Sequence, residues 1–504
     1  RALAQLYVAG LDLDWTQVMP TKQLPPVQLP TYPFQRKSFW NETLRAHLEQ
    51  QALPDKARNW LYRVDWQPAV PVPVPAISEQ PWLLLFPTMA LAEEFSTRLQ
   101  QVDRAAVRCG HYKLGSEAVL LLDGESIALG NHGESQRMLR DKLQPGTRLV
   151  VSFACLNADA SAATLRGLTA LMLSLAKTVQ QSPGCEWWLM TEAAQQVGEQ
   201  AVPVRPEQAL VLGFAKNLML ELADKFRGVI DVDIWNEATV DQVATGIAGG
   251  FSAPWISLRQ QQFLQPQLAR VNGERLSRKV IKLDPHAHYV IAGGTGSIGL
   301  AVAKWLIEKG ARHLALLSRR GVMTPDVAAA LAQWQQKGVS IQLCAVDLAD
   351  RQAVAGCLER LRQQHPIKGV IHAAGQFELC ALQELDTERC ESLMANKTLG
   401  LQWLDECSRA DVLDFFAAFS SIASTWGSAG NFHYAAANQV VDAIMQRRHQ
   451  QGLPALVINW GPWAQSGMLS DTSAEQASRR GLQVMDMSIG VQTFGRLLNR
   501  DEHQ

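Results

Sequence analysis

The sequence predicts an α/β protein made of two doubly wound units in tandem, and three observations carry that expectation. β-Prone runs alternate with helical patterns from Trp82 to Asn459, the order that builds a parallel sheet covered on both faces. One strand-to-helix junction, Gly293 to Gly299, is rich in glycine, whereas the matching junction of the first unit is not. The length, 504 residues, exceeds what one core normally organises.

Residues 1–15 carry the spacing of an amphipathic helix. Residues 16–35 contain Pro20, Pro25, Pro26, Pro30 and Pro33, a density that denies helix and ladder alike, so the segment is expected to run extended over a surface. Tyr32, Phe34, Phe39 and Trp40 would dock it there. A polar helical stretch, 41–58, precedes the alternating run from Trp60 to Trp66, which reads as a strand, and a second linker runs from Pro68 to Pro75. The first unit offers strands from Trp82 to Phe86, Ala118 to Leu122, Thr147 to Phe153, Glu186 to Thr191 and Gly228 to Ile234. Helices are expected between them, among others from Ser161 to Gln180 and from Pro206 to Asp224. Its first strand leads into Pro87-Thr88-Met89-Ala90, which admits no phosphate, so this unit is expected to be structural. Residues 250–284 are mixed, with a strand-like run from Trp255 to Leu258.

The second unit opens on the β-prone run from Tyr289 to Ala292, broken by Gly293-Gly294-Thr295-Gly296-Ser297-Ile298-Gly299 and followed by helical spacing from Leu300 to Gly310. Glycines 293, 296 and 299 fit the GxxGxxG form of the dinucleotide fingerprint of a Rossmann-like unit. They provide a tight turn, a close approach of backbone to pyrophosphate at a helix N-terminus, and close packing of helix on strand. The next strand, from Leu314 to Leu317, ends in Ser318-Arg319-Arg320. An acidic residue there would accept from a ribose 2′-hydroxyl, whereas guanidinium pairs with a 2′-phosphate, so NADPH is the expected cofactor. Strands from Ser340 to Ala345, Gly369 to His372, Phe415 to Ser420 and Ala455 to Asn459 complete the unit.

Four polar residues of this unit suit carbonyl reduction. The strand from Phe415 ends at Ser420-Ser421; Tyr434 follows, and Asn438 lies one helical turn beyond it. Lys397 sits on a helical stretch running from Glu391 to Cys407. Hydride delivery to a ketone builds negative charge on oxygen, which calls for an acid in hydrogen-bond reach and a second donor. A phenol, with a reference pKa of about 10, needs a nearby cation to serve as that acid, and a buried lysine supplies one.

At this point the sequence resembles the ketoreductase domains of modular type I polyketide synthases, a branch of the short-chain dehydrogenase/reductase superfamily. The matching stretches are AGGTGSIGLAVAKWLIEKGARHLALLSRRG (292–321), AVDLAD (345–350), HAAG (372–375), KTLGLQWL (397–404), FSSIASTWGSAGNFHYAAANQVVDAI (419–444) and GLPALVINWGPWAQSGM (452–468). Upstream, TYPFQRKSFW is similar to the linker after an acyltransferase, and PEQALVLGFAKNLMLE (206–221) to a helix of the family's structural subdomain.

The resemblance implies an acyltransferase tail and linker over 1–40, a pseudo-Rossmann structural subdomain over 41–284 and a catalytic Rossmann subdomain over 285–504. It implies reduction of a β-ketoacyl thioester on an acyl carrier protein, with the ketosynthase-acyltransferase of the same module as the other partner and a secondary metabolite as the end product. Tyr434 would donate the proton, Ser421 the second hydrogen bond, and Lys397 and Asn438 would form the electrostatic and relay pair. Lysine and asparagine are exchanged relative to the YxxxK of ordinary short-chain dehydrogenases. Asp347 and Leu348 would contact adenine, and His372-Ala373-Ala374-Gly375 would pass beneath the nicotinamide ribose. Two departures stand out: Ala292 replaces the threonine of TGGTG, and Phe377-Glu378-Leu379 replaces the family's LDD. Trp426 is the marker of the A-type group, implying the L-configured hydroxyl, and Asn431 at the position of the subgroup histidine implies an unepimerised α-carbon. The run from Gly461 to Met468, with Trp463, would begin a lid over the acyl-phosphopantetheine. The rival expectations are a silent scaffold domain and a free-standing dehydrogenase.

Composition narrows the partners. A formal charge of −1 with 19% charged residues offers nothing for nucleic acid or an anionic membrane. Eight cysteines without a CxxC pair indicate neither a metal site nor a disulfide framework, and suit free thiols in a reducing compartment. The absence of a spanning apolar run or a signal pattern makes the expected location cytoplasmic. Arg1 falls within a helical pattern, so the chain is expected to be part of something longer.

Overall fold

The computed structural model describes residues 60–498, apart from 72–79, 116, 130–131, 157, 199–201, 272–281, 322–323 and 465–481. The expected acyltransferase tail and linker, and Met468, lie outside the described residues. Leu53–Gln504 packs as one compact unit that contains both sheets.

The first half holds β1 (Tyr62–Pro68), β2 (Trp82–Phe86), α1 (Met89–Val102), β3 (Val107–Lys113), β4 (Val119–Leu122), β5 (Glu125–Ala128), α2 (His132–Lys142), β6 (Arg148–Ser152), α3 (Ala162–Gln181), β7 (Glu186–Glu192), α4 (Pro206–Glu221), β8 (Phe226–Val232), α5 (Glu237–Gly249), β9 (Trp255–Arg259) and β10 (Gln262–Arg270). Its sheet runs β1-β10-β9-β8-β7-β6-β2-β3-β4-β5. The six strands from β3 to β9 in that order are parallel, and Trp82-Leu83-Leu84-Leu85-Phe86 of β2 is buried throughout, as a strand covered on both faces must be.

Both edges depart from the expected parallel sheet. β4 and β5 form a hairpin over Asp123-Gly124, whose φ values of 52° and 78° are those of a tight turn matched to strand twist. At the other edge β10 folds back on β9 through Gln260-Gln261, at φ 47° and 66°, and β1 closes against β10. Residue 118–122 is therefore a hairpin arm and not a crossover strand.

The second half holds β11 (His288–Ala292), α6 (Ser297–Glu308), β12 (His313–Ser318), α7 (Pro325–Gln336), β13 (Ser340–Ala345), α8 (Arg351–Arg362), β14 (Ile367–His372), α9 (Thr387–Cys407), β15 (Phe415–Ser421), α10 (Ala423–Trp426), α11 (Phe432–Gln450), β16 (Leu456–Trp460) and α12 (Met487–Leu497). The sheet is parallel, in the order β13-β12-β11-β14-β15-β16. Counted within the half this is 3-2-1-4-5-6, and the winding reverses between β11 and β14, which opens a ligand crevice at the carboxyl ends of those strands. α9 starts four residues ahead of the expected Glu391 because the Asp386 side chain caps it, accepting from Arg389 N at 2.7 Å.

The halves meet where α4 lies on α11. α4 is buried on every face from Pro206 to Leu218, which explains why it lacks a polar stripe. A Cβ on Gly213 would sit 2.5 Å from Ala436 Cα and 2.9 Å from Ala435 O, so only glycine permits this approach. Phe214 stacks on Phe432 with ring centroids 4.6 Å apart. Among the described residues no helix is long and apolar enough to cross a membrane.

Candidate active site

The crevice is bounded by the two strand ends that the winding separates. Gly293 adopts φ 78°, and a Cβ there would meet Ala374 N at 2.7 Å, so the turn after β11 abuts the turn after β14. Gly296 N donates to Gly293 O at 3.0 Å, and a Cβ on Gly299 would lie 2.3 Å from that same carbonyl. Gly294 is packed against Leu316, Thr295 is half-buried, Ser297 is exposed and Ile298 rests on the core of this half. Gly296, at the N-cap of α6, adds no capping side chain. A helix N-terminus meeting a bare glycine turn fits a dinucleotide pyrophosphate.

Arg319 and Arg320 are exposed at the end of β12, and neither has a carboxylate partner among the described residues. Ser318 Oγ accepts from Gly321 N at 3.2 Å and so tightens the turn that carries them. Asp347 is exposed, its Oδ1 accepting from Ala349 N at 3.0 Å. Leu348 is only 4% exposed and packs on Gly400, so it has backbone, not side chain, to offer a cofactor. His372 is buried with Nε2 3.0 Å from Asn396 O, Ala373 N donates to Ala292 O at 2.9 Å, and Gly375 leaves room for the Lys397 stem.

Lys397, Ser421, Tyr434 and Asn438 come together from α9, β15 and α11. Lys397 Nζ donates to Phe419 O and to Asn438 Oδ1, both at 2.8 Å, and stands 5.9 Å from the centroid of the Tyr434 ring. Asn438 Nδ2 donates to Tyr434 O at 2.7 Å, tying the ammonium to the first turn of α11. Ser421 is buried, and its Oγ accepts from Ala423 N at 3.2 Å. Burial brings the Lys397 ammonium down to about 8, against the pull of the Asp442 charge.

The sequence suggested a phenol made acidic by that ammonium. Burial instead holds Tyr434 above the ordinary tyrosine range, with the Ser421 and Asn438 side chains pulling the other way. The phenol therefore keeps its proton at neutral pH, the form a proton donor needs.

Phe377 packs edge-on to Tyr434 with ring centroids 5.3 Å apart, so the segment that stands in place of LDD meets the phenol through its first residue. Leu379 is exposed beside Gly430, where Cys380 N donates to Gly430 O at 2.9 Å. Trp426 is half-exposed and lines a cavity of about 890 Å³ with Ile422, Trp255 and Trp460, which none of Lys397, Ser421, Tyr434 and Asn438 borders. Trp463 is buried against Trp460, Phe419 and Gly490, which gives it a packing role where the sequence suggested a lid. α4 reaches this region as well: Asn217 Oδ1 accepts from Ser428 N at 2.7 Å and Glu221 Oε1 from Gly430 N at 3.0 Å.

Three buried imidazoles set an acid limit to the fold. His288, His372 and His433 are at most 1% exposed, and burial lowers each from 6.5 to about 4. His288 and His433 have no hydrogen-bond partner on either ring nitrogen. The unfolded chain binds these protons at the higher pH, so the stabilisation is complete above pH 6.5 and is lost as pH falls towards 4, by about 3 kcal/mol per histidine. A thermal midpoint measured from pH 8 to pH 4 is expected to fall steeply below 6.5. His288→Phe should flatten that fall, and an unchanged slope would contradict it.

The family described as "KR domain" matches residues 287–465. The pikromycin polyketide synthase component PikAIII of Streptomyces venezuelae is 28% identical over 504 residues, covering 99% of this chain and 30% of that protein. Erythronolide synthase EryA3 of Saccharopolyspora erythraea is 30% identical over 511 residues, covering 99% of this chain and 14% of that protein. The chain thus spans less than a third of the length of these curated relatives. Among solved structures, "The first ketoreductase of the tylosin PKS" superposes with a TM-score of 0.73 at 26% identity, covering 88% of this chain and 91% of that one. "Structure of A-type Ketoreductases from Modular Polyketide Synthase" gives a TM-score of 0.74 at 25% identity, with the same coverage. Residues 287–465 thus carry a KR domain, and fold, glycine crevice and these matches agree in likening the chain to the ketoreductases of modular type I polyketide synthases.

Proposed function

We propose that the chain reduces a β-ketoacyl thioester carried by an acyl carrier protein to the β-hydroxyacyl thioester, with NADPH as reductant, during polyketide chain extension. The observation that carries this reading is the chain of hydrogen bonds from Lys397 through Asn438 to the first turn of α11, where Tyr434 stands. Bound NADPH supplies the hydride that becomes the new C–H bond at the β-carbon. Tyr434 and Ser421 hold the carbonyl oxygen between two donors, and Tyr434 passes its proton to that oxygen as the charge develops. Lys397, hydrogen-bonded to Asn438, stabilises the phenolate left behind and returns a proton to it. One carbonyl, one hydride and one proton give one alcohol.

Arg319 and Arg320 are the residues for the 2′-phosphate, and the turn from Gly293 to Gly299 is the pyrophosphate seat. Ser318, Asp347, Leu348 and His372–Gly375 line the remaining path of the dinucleotide. The ketosynthase-acyltransferase of the same module is the expected neighbour. Trp426 and the segment from Phe377 to Leu379 are assigned to stereocontrol, with the A-type, L-configured hydroxyl as the product.

Incubation with NADPH and a β-ketoacyl thioester, followed by chiral chromatography, tests the reading: a single L-hydroxyl product is expected, and no reduction would refute it. Arg319→Ala should weaken NADPH by about tenfold or more while leaving NADH nearly unchanged, as loss of a charge-assisted contact to phosphate requires. Equal losses for both cofactors, measured by titration, would overturn the phosphate assignment.

A further inference from the structure

The loop that follows Trp426, from Gly427 to Asn431, joins α10 to α11 and is held from two sides. On one side lies α4 of the first half. Asn217 Oδ1 accepts from Ser428 N at 2.7 Å and Glu221 Oε1 from Gly430 N at 3.0 Å, from positions one helical turn apart. The approach is close, for Gly427 adopts φ 83° and a Cβ on it would lie 2.5 Å from Lys216 O. On the other side lies the segment after β14. Cys380 N donates to Gly430 O at 2.9 Å, and Cys380 and Asn431 form an isolated parallel bridge. Gly430 is thus gripped at its N–H by the first half and at its carbonyl by the strip that begins with Phe377.

Both sides of this arrangement reach the phenol. Phe377 rests edge-on against the Tyr434 ring, and Tyr434 N donates to Asn431 O at 3.0 Å, so the loop sets the first turn of α11. Asn217 and Glu221 meanwhile do little for the helix that carries them. Asn217 is fully buried with no partner for its Nδ2, a cost that an apolar residue in this helix would avoid. Glu221 puts a carboxylate in the last turn of α4, where the helix dipole favours a cation. What both residues supply is an acceptor for a backbone N–H of the loop.

We propose that Asn217 and Glu221 are positioning residues for stereocontrol: by fixing Ser428 N and Gly430 N, α4 holds the strip from Phe377 to Cys380 and the first turn of α11 in one register, and so decides which face of the ketone the hydride reaches. The hydroxyl configuration depends on which way round the ketone lies against the phenol, and a wall that gives way admits both orientations. The inference rests on the proposed reductase activity and deepens it, placing part of the choice of product in the half without a cofactor turn.

The test compares Glu221→Ala with Glu221→Gln, whose amide oxygen still accepts from Gly430 N, in the whole chain. With NADPH and a β-ketoacyl thioester, Glu221→Ala should lower the ratio of major to minor hydroxyl configuration by about tenfold or more, and kcat with it, as a misplaced substrate requires. NADPH affinity should not change. Glu221→Gln should restore both quantities. Should Glu221→Ala not fold, Asn217→Ala, which frees Ser428 N, takes its place. Hydrogen exchange over the segment from Phe377 to Cys380, measured without substrate, should quicken in Glu221→Ala and not in Glu221→Gln. An unmoved product ratio, with rates that follow only the fraction folded, would overturn the proposal and leave a structural role. Equal exchange in all variants would overturn it independently of turnover. Failure of the unsubstituted protein to reduce the thioester would instead refute the reductase reading, whatever the exchange shows.

Discussion

Tyr434→Phe is expected to lower kcat by at least ~100-fold and to leave NADPH affinity unchanged, because it deletes the general acid and nothing the cofactor touches. The ring itself remains, and with it the edge contact to Phe377 and the bond from Asn438 to the backbone of residue 434. A loss of rate would therefore report chemistry and not misfolding. Stopped-flow or steady-state consumption of NADPH measures the first quantity and a fluorescence titration the second. Near-normal turnover would remove Tyr434 from the mechanism and with it the purpose of the Lys397–Asn438 pair.

Gly213→Val should destabilise the whole unit by about 3 kcal/mol or more and abolish activity, although residue 213 lies in the half without a cofactor turn. The nearest clashes are with the backbone of α11, Ala436 Cα and Ala435 O, which no side-chain rotation relieves. Relief requires α4 and α11 to part, and α11 carries Tyr434 and Asn438 immediately before and after the contact. Parting also strips Lys216 from Ser424 O and Gln439 and unstacks Phe214 from Phe432. A fall in thermal midpoint that coincides with loss of reductase activity is the expected result. An unshifted midpoint would show that the two halves are held together elsewhere.

Much of this fold was legible because buried parallel strands are continuous apolar runs: Trp82 to Phe86 and Phe415 to Ser420 fall where the pattern put them. The edges of the first sheet were not. Asp123-Gly124 is a recognisable hairpin signal that was passed over, whereas Gln260-Gln261 adopts positive φ with no glycine or asparagine to announce it. The strand Val107–Lys113 was missed because Arg108, Gly110, His111 and Lys113 dilute its apolar residues.

In the site, chain order and helical spacing were enough to bring Lys397, Asn438 and Tyr434 together, since strand ends and one turn of α11 fix where those side chains go. Partners from other elements were out of reach. Asn217 and Glu221 sit on an apolar helix far away in sequence, and only packing of α4 on α11 brings them to Ser428 and Gly430. The edge contact of Phe377 on the phenol was out of reach as well, because loop register after β14 is not set by any periodicity. Trp463 entered the expected lid through the family resemblance; its burial depends on Gly490 of α12, a distant residue that makes room for the ring.

The most direct test of the central claim follows the hydride itself. NADPH carrying deuterium on the transferred position of the nicotinamide is mixed with the protein and a β-ketoacyl thioester, and the product is analysed by mass spectrometry. One deuterium at the β-carbon, delivered by the unsubstituted protein and lost with Lys397→Met and with Tyr434→Phe, is the predicted result. A product without the label, or one that forms equally well in both variants, would contradict it.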